Sequence, residues 1–119
     1  MAIHYNLSKV YAISENNPEF LQQIIHLFVT ETPLDLAQIK QGIEDKNHEI
    51  CYEVAHKIKQ SLDLLSLNLA LEEMLQIEVW AKSRGKKKEI KEIFKSVSNQ
   101  IEKAIKEIKK DFNLQMTNT

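Results

Sequence analysis

One histidine, His56, stands out because it lies on the polar side of an amphipathic segment. Between residues 47 and 65, apolar side chains recur at helical spacing, at Ile50, Val54, Ile58, Leu62 and Leu65. At about 100° per residue these positions share one face of a helix, and His56 falls almost opposite that face. A neutral imidazole is a good nitrogen nucleophile near neutral pH because its unperturbed pKa is about 6.5. The spacing therefore predicts an exposed nucleophile, and the simpler alternative is a surface histidine without a role.

The residues that follow His56 form a motif. Lys59, Gln60 and Ser61 stand at positions +3, +4 and +5 of the run AHKIKQS. This run resembles the His-x-x-Lys-Gly-Ser signature of histidine-containing phosphotransfer (HPt) domains, which relay phosphoryl groups between receiver-domain aspartates in bacterial two-component signalling. The resemblance extends over residues 5–110. It includes a short first helix, an Asn-Pro-Glu-Phe helix start at 17–20, the segment 28–33 and an apolar turn near Leu67.

The resemblance implies a function and a site. It implies that His56 accepts a phosphoryl group from the aspartate of one response-regulator receiver domain and passes it to another. A hybrid sensor kinase is a further expected partner. Lys59 and Gln60 would stabilise the phosphoryl group, with no cofactor and no catalytic kinase or hydrolase motif. The family usually has Gly where this chain has Gln60, which keeps a second hypothesis open: a helical adaptor of the same fold that binds a receiver or kinase domain without being phosphorylated.

Glu78 is the candidate for orienting the imidazole. If the helix that carries His56 packs antiparallel against the next helix about a turn near residue 67, Glu78 lies level with His56. HPt domains often place a polar residue of the next helix against this histidine. Glu78 also falls among the apolar positions of its own helix, and a buried carboxylate needs a partner. Pairing of Glu78 with Lys59 or Lys82 is the alternative.

A protein partner must approach His56 closely, so its docking patch should surround that residue. Transient signalling interfaces are small and have a partly apolar centre. On the helix of the histidine itself, the candidates are Tyr52 and Leu64. The first helix flanks the active histidine in HPt domains, and it adds Val10 and Ile13.

Composition limits both the fold and the classes of function. The 119 residues are 43% hydrophobic and 28% charged with a formal net charge of −1, which is typical of one globular domain over residues 1–119. Cys51 is the single cysteine, which excludes an internal disulfide, and together with His48 it supplies too few ligands for a metal site. The balanced charge gives no indication of nucleic-acid or membrane binding. The polar N-terminus and the lack of a long apolar run predict a cytoplasmic protein, which we expect to be a monomer.

The chain as a whole is predicted to form helices joined by short polar turns. A short helix that starts at Asn6 or Ser8 precedes four longer segments, at 18–44, 47–65, 68–83 and 87–112. Pro33 is expected to kink or split the first of these, whose apolar stripe includes Leu27 and Leu34, and Gly85 is expected to end the third. Four amphipathic segments with short connections predict an all-α, antiparallel up-down-up-down four-helix bundle. The tail, residues 113–119, is expected to fray.

Overall fold

The computed structural model describes residues 4–15 and 17–112, which form five α-helices and no β-strand. The helices are α1 (Ser8–Ser14), α2 (Pro18–Glu44), α3 (His48–Leu64), α4 (Asn68–Lys82) and α5 (Lys87–Asp111). The prediction of an all-helical chain is confirmed, and the four long helices begin and end within one residue of their predicted bounds. The predicted frayed tail, 113–119, lies outside the described residues.

Local sequence explains where the helices begin and end. The Asn17 side-chain oxygen accepts a hydrogen bond from the Glu19 amide at 2.9 Å, and Pro18 occupies the first helical position of α2. Asn47 caps α3 in the same way by accepting from the Ile50 amide at 3.2 Å. After each of the first four helices, one residue adopts a left-handed backbone conformation with φ between 52° and 59°; these residues are Glu15, Lys46, Ser66 and Arg84. The connections between the long helices are therefore short.

Gly85 has a different role from the predicted one. The helix ends at Lys82, and the residue with positive φ is Arg84, at 56°, rather than Gly85. A Cβ atom at position 85 would collide with the indole of Trp80. The Trp80 Nε1 donates to the carbonyl of Lys86 at 2.8 Å. The glycine is thus required because the turn passes close to the Trp80 ring.

The four long helices enclose a common apolar core. Helix α3 packs against α2 and α4, helix α5 packs against α4 and α2, and α1 contacts α2. Each long helix contributes fully buried side chains, among them Phe28, Ile39, Ile58, Met74 and Ile101. These pairwise contacts are compatible with a helical bundle. None of the helices in residues 4–15 and 17–112 combines the length and apolar character that a membrane crossing requires.

Two details predicted for α2 concern Pro33, which was expected to kink or split the helix, and the apolar stripe. The helix continues through Pro33 and is not split there. Pro33 lies on the exposed surface of the helix. The placement of Leu27 and Leu34 on the apolar stripe was wrong, because their exposed fractions are 51% and 68%. The core-facing direction of α2 is set by residues such as Ile25 and Phe28, and the two leucines point away from it.

Candidate functional site

His56 lies in the middle of α3, on the face that points away from the core. Its side chain is 57% exposed. The residues that α3 buries, on the other face, are Cys51, Val54, Ala55, Ile58 and Leu62. The imidazole is therefore accessible to a second molecule, as the helical spacing predicts.

Glu78 of α4 is buried and contacts two side chains of α3. The Nδ1 atom of His56 lies 2.6 Å from Oε2, and the Nζ atom of Lys59 lies 2.8 Å from Oε1. Burial by itself would raise the pKa of Glu78, but hydrogen bonds from Lys59 and His56 hold that pKa below its ordinary value of 4.5. Glu78 is therefore an ionised carboxylate at neutral pH. Of the three partners considered from the sequence, His56 and Lys59 bind it together, and no contact with Lys82 is seen among the described residues.

The contact with Glu78 assigns the proton on the imidazole ring. An ionised carboxylate only accepts hydrogen bonds, so the Nδ1 atom of His56 carries the proton and donates it to Oε2. The Nε2 atom, on the other edge of the ring, then keeps its lone pair. A charge-assisted hydrogen bond of this kind holds the ring in one orientation. The arrangement offers a single nucleophilic nitrogen and places a negative charge where positive charge on the ring would be stabilised.

Tyr52 and Gln60 border His56 along α3. The Tyr52 ring, one turn before the histidine, stacks nearly parallel to the imidazole, with ring centroids 6.0 Å apart and planes inclined by 10°. Gln60, one turn after it, is exposed. Lys59 is only 21% exposed because its ammonium group is directed at Glu78. Of the two predicted phosphate-stabilising residues, Gln60 thus faces solvent and Lys59 faces the buried carboxylate.

A second ion pair ties α3 to α2 beside the histidine. The Nζ atom of Lys57 lies 3.2 Å from Oδ1 of Asp35 and 3.6 Å from Oε1 of Glu31. Asp35 is buried, and its hydrogen bond with Lys57 raises the pKa of that lysine. Sequence analysis missed Asp35, whose signal is an acidic residue next to the core-facing Leu36 and one turn before Ile39. Helix α3 is therefore anchored to both neighbouring helices close to His56.

The four predicted docking residues differ in accessibility. Ile13 of α1 is 60% exposed, while Tyr52 and Leu64 are half-buried. Val10 is completely buried, because α1 packs this side chain into the core. The assignment of Val10 to a partner surface was therefore wrong.

Two exposed apolar residues of α4 were missed from the sequence. Leu75 and Val79 are 41% and 67% exposed, and they stand at −3 and +1 relative to Glu78. At about 100° per residue, both point to the same side of Glu78, away from the core. Since Glu78 contacts His56, these side chains lie at the edge of the histidine site. The sequence could have indicated the exposure of Leu75 and Val79, because they lie on the side of α4 opposite core-facing positions such as Met74 and Ile77.

The other histidine and cysteine considered as ligands have structural contacts. The Nε2 atom of His48 lies 2.9 Å from the Gly85 carbonyl oxygen, and its ring lies 4.8 Å from that of Trp80. The thiol of Cys51 donates to the Ile39 carbonyl at 3.6 Å, and burial raises its pKa to about 11. In the described part of the chain, no three His, Cys, Asp or Glu side chains are grouped as metal ligands.

The basic residues between α4 and α5 are partly neutralised by neighbouring helices. Arg84 lies 2.9 Å from Glu49 of α3, and Lys87 lies 2.8 Å from Glu44 of α2. Lys82 is exposed, and within residues 4–15 and 17–112 it forms no ion pair. Arg84 and Lys87 therefore join the ends of neighbouring helices.

Comparison of the chain with protein-family models, with curated proteins and with solved structures found no match.

Proposed function

We propose that this chain is an HPt-type phosphocarrier, in which His56 accepts a phosphoryl group from the aspartyl phosphate of one receiver domain and donates it to another. The observation that carries the proposal is an exposed imidazole whose Nδ1 lies 2.6 Å from the buried carboxylate of Glu78. A surface histidine without a role has no need of such a partner, because water satisfies both of its nitrogens. The motif AHKIKQS supplies the second line of support.

On this chain, the proposed transfer step uses the Nε2 lone pair of His56 and the carboxylate of Glu78. The Nε2 lone pair of His56 forms the N–P bond while the P–O bond to the partner's aspartate breaks, and the bonding electrons leave with the aspartate as a carboxylate. The ring keeps its Nδ1 proton and gains positive charge, which the Glu78 carboxylate stabilises. Positioning and electrostatics supply most of the catalysis of phosphoryl transfer. Transfer to the second receiver is the reverse of this step, so the same groups of this chain serve both directions.

Gln60 and Lys59 are the proposed phosphate-stabilising residues. Gln60 is exposed one turn after His56, so its side-chain amide can donate to a phosphoryl oxygen. Lys59 contributes positive charge from its place beside Glu78. A charge pair about 4 Å apart is worth about 1–4 kcal/mol, depending on its exposure to solvent.

The proposal includes an architecture and partners. The long helices are joined by connections of three or four residues, which supports an antiparallel up-down-up-down arrangement. The carrier would act as a monomer in the cytoplasm, with response-regulator receiver domains and a hybrid sensor kinase as partners.

The proposed docking surface has His56 at its centre and extends over α4. Leu75 and Val79 supply exposed apolar area, and Lys82, one turn after Glu78, supplies an exposed positive charge. A receiver presents an acidic phosphorylation site, which this charge complements. On the other flank of α3, the acids Glu31 and Asp35 bind Lys57, which partly neutralises the positive charge there.

Direct detection of phosphohistidine tests the proposal. A receiver domain phosphorylated with acetyl phosphate should transfer acid-labile, base-stable phosphate to the chain. The variant His56→Gln should lose this label, and circular dichroism checks that it is folded, since the glutamine amide can still donate a hydrogen bond to Glu78. His26→Gln, which changes an exposed histidine of α2, is the matched control and should be labelled normally. Label that persists in His56→Gln would contradict the assignment.

Gln60 favours one second candidate function. A side chain at a position where the HPt signature has Gly adds bulk beside the histidine, which suits an adaptor that binds a receiver or kinase domain without phosphorylation. In that case a receiver would bind the chain without labelling it, and His56→Gln would bind the same receiver with unchanged affinity.

A further inference from the structure

A groove lies between α2 and α5, at the least extensive contact between neighbouring long helices. It contains two adjoining cavities of about 450 and 430 Å³, whose shared lining residues are Pro33, Asn99, Glu102 and Ile105. The lining also includes Ala37 of α2 and Ser98 of α5, whose small side chains leave the space between the helices unfilled. Cavities that bind small molecules in proteins typically measure about 300–1,000 Å³, so the groove is large enough for a ligand.

The walls of the groove are largely apolar and elongated. Leu36 and Ile105 are buried, Phe94 is half-buried, and the exposed ring of Pro33 adds a rigid apolar surface. Along α5 the lining extends from Phe94 to Lys106, which is about 18 Å at about 1.5 Å per residue. This shape suits an extended hydrocarbon chain of medium length.

The groove also has a local excess of positive charge, although the chain as a whole has a formal net charge of −1. Four lysines and one glutamate line the two cavities: Lys40, Lys95, Lys103, Lys106 and Glu102. None of these lysines forms an ion pair within residues 4–15 and 17–112. Lys40 and Lys95 line the same cavity from its two helices. Ser98 stands one turn after Lys95, and its buried Oγ atom has no hydrogen-bond partner in the described part of the chain.

We propose that the α2–α5 groove binds a fatty acid, which combines one extended apolar chain with one carboxylate. The chain would lie against Leu36, Phe94 and Ile105, and the carboxylate would lie between Lys40 and Lys95. Each lysine supplies hydrogen-bond donors and a positive charge, and the Ser98 hydroxyl is a further donor. The proposal does not rest on phosphotransfer, because the groove is formed by α2 and α5, whereas His56 lies on α3 and contacts α4.

Titration of the full chain with sodium decanoate tests the proposal. Isothermal titration calorimetry should show saturable binding of one decanoate per chain at submillimolar concentrations. Backbone amide chemical shifts should change within 33–40 of α2 and 94–106 of α5. The neutral alcohol of the same length, decanol, should bind the same groove more weakly because it lacks the carboxylate.

Two variants separate the apolar part of the site from the charged part. Ala37→Phe adds an aromatic ring at an exposed position in the groove, so it should abolish binding of both decanoate and decanol. Lys40→Met/Lys95→Met should weaken decanoate at least about tenfold, because two charge contacts are lost, and should leave decanol unchanged. Lys88→Met/Lys110→Met is the matched control, since it removes two exposed lysines of α5 outside the groove and should leave both affinities unchanged. Methionine has a helix propensity close to that of lysine, and circular dichroism checks that every variant is folded.

Several results would overturn the proposal. Decanoate that binds without saturation, or shifts amides around other exposed apolar residues such as Leu27 and Val79, would show nonspecific adsorption. Equal weakening by the two lysine pairs would assign the effect to net charge and not to the groove, and unchanged binding to Ala37→Phe would place the ligand elsewhere. Binding of the chain to phosphatidylglycerol vesicles without saturable binding of decanoate would show that the lysines contact a membrane surface instead.

Discussion

Truncating the two exposed apolar side chains of α4 should weaken transfer from a receiver without changing the chemistry at His56. Leu75 and Val79 are 41% and 67% exposed, and Glu78, which lies between them in sequence, contacts His56 directly. A transient signalling interface buries less than about 1,200 Å² in total, or about 600 Å² on each partner. A patch of that size centred on His56 has a radius of about 14 Å. It therefore covers side chains within one helical turn of Glu78.

The expected magnitude follows from the place of these residues near the centre of the patch. The interface residues whose truncation costs more than about 1 kcal/mol cluster near the centre of the patch, so at about 1 kcal/mol each the double variant Leu75→Ala/Val79→Ala should lose about 2 kcal/mol of binding. This loss corresponds to an increase of about 30-fold in the half-saturating receiver concentration. Because both side chains are already exposed, their truncation leaves no cavity, and the free energy of unfolding should change by less than about 0.5 kcal/mol at each position.

The assay measures the transfer rate as a function of the concentration of phosphorylated receiver. The control is Leu27→Ala/Leu34→Ala, which removes two leucines of α2 with similar exposure, 51% and 68%. Labelling by phosphoramidate, a small phosphodonor that needs no protein docking, provides the reference for the chemistry alone. We expect the α4 double variant alone to need more receiver, with normal labelling by phosphoramidate. A defect confined to the α2 variant, or equal in both, would refute the placement of the docking surface on α4.

Three further predictions concern single positions. Gln60→Gly should slow labelling by phosphoramidate about fivefold, because one hydrogen bond to the phosphoryl group is worth about 1 kcal/mol; faster labelling would show that the side chain obstructs the site. Gly42→Ala should lower the free energy of unfolding measured in urea, because the added Cβ would lie 2.8 Å from the Cys51 sulfur. The cost of overpacking, about 1–3 kcal/mol, exceeds the gain of about 1 kcal/mol in helix propensity. A more stable variant would contradict this. The difference in free energy of unfolding between Glu78→Gln and the parent should be largest above pH 4.5 and should shrink below it. The pKa of the folded carboxyl is lowered, so its contribution to stability is lost as the pH falls and it is protonated. Urea unfolding between about pH 3 and pH 7 tests this, and a difference that grows in acid would oppose it.

The helices could be predicted from the sequence because the signals for them are local. Caps such as Asn17 and Asn47, together with apolar spacing, determined the bounds to within one residue. The face that each helix buries was harder to predict where apolar residues surround the axis. On α2, Leu27 and Leu34 fit a broad stripe in sequence, but only the direction set by contacts with α3 and α5 is buried. The spacing of residues along α2 alone does not indicate which side of the helix packs against α3 and α5.

Parts of the site could also be predicted, because they depend on local spacing. The exposure of His56 could be predicted from its position opposite the apolar face of its helix. Its position beside Glu78 could be predicted by counting residues on either side of the short turn that joins the two helices. The simultaneous contact of Lys59 with the same carboxylate could not be chosen in advance, since Lys82 was an equal candidate by spacing. Val10 was misplaced because its burial depends on how α1 crosses the other helices, which is a tertiary property.

The buried carboxylate at position 78 explains how a flexible imidazole comes to be fixed in orientation. A buried ion pair is weak evidence for stabilisation, because the cost of removing two charges from water offsets their attraction. Leaving one partner of such a pair without the other, however, costs about 3–5 kcal/mol. Once Glu78 is buried, both of its oxygens need donors, and His56 and Lys59 of α3 supply them. The penalty for losing either contact is therefore what holds Nδ1 and leaves Nε2 free to react. An apolar residue at position 78 would pack against α3 without this penalty, and the imidazole would then have no carboxylate partner on α4 to hold its proton on Nδ1.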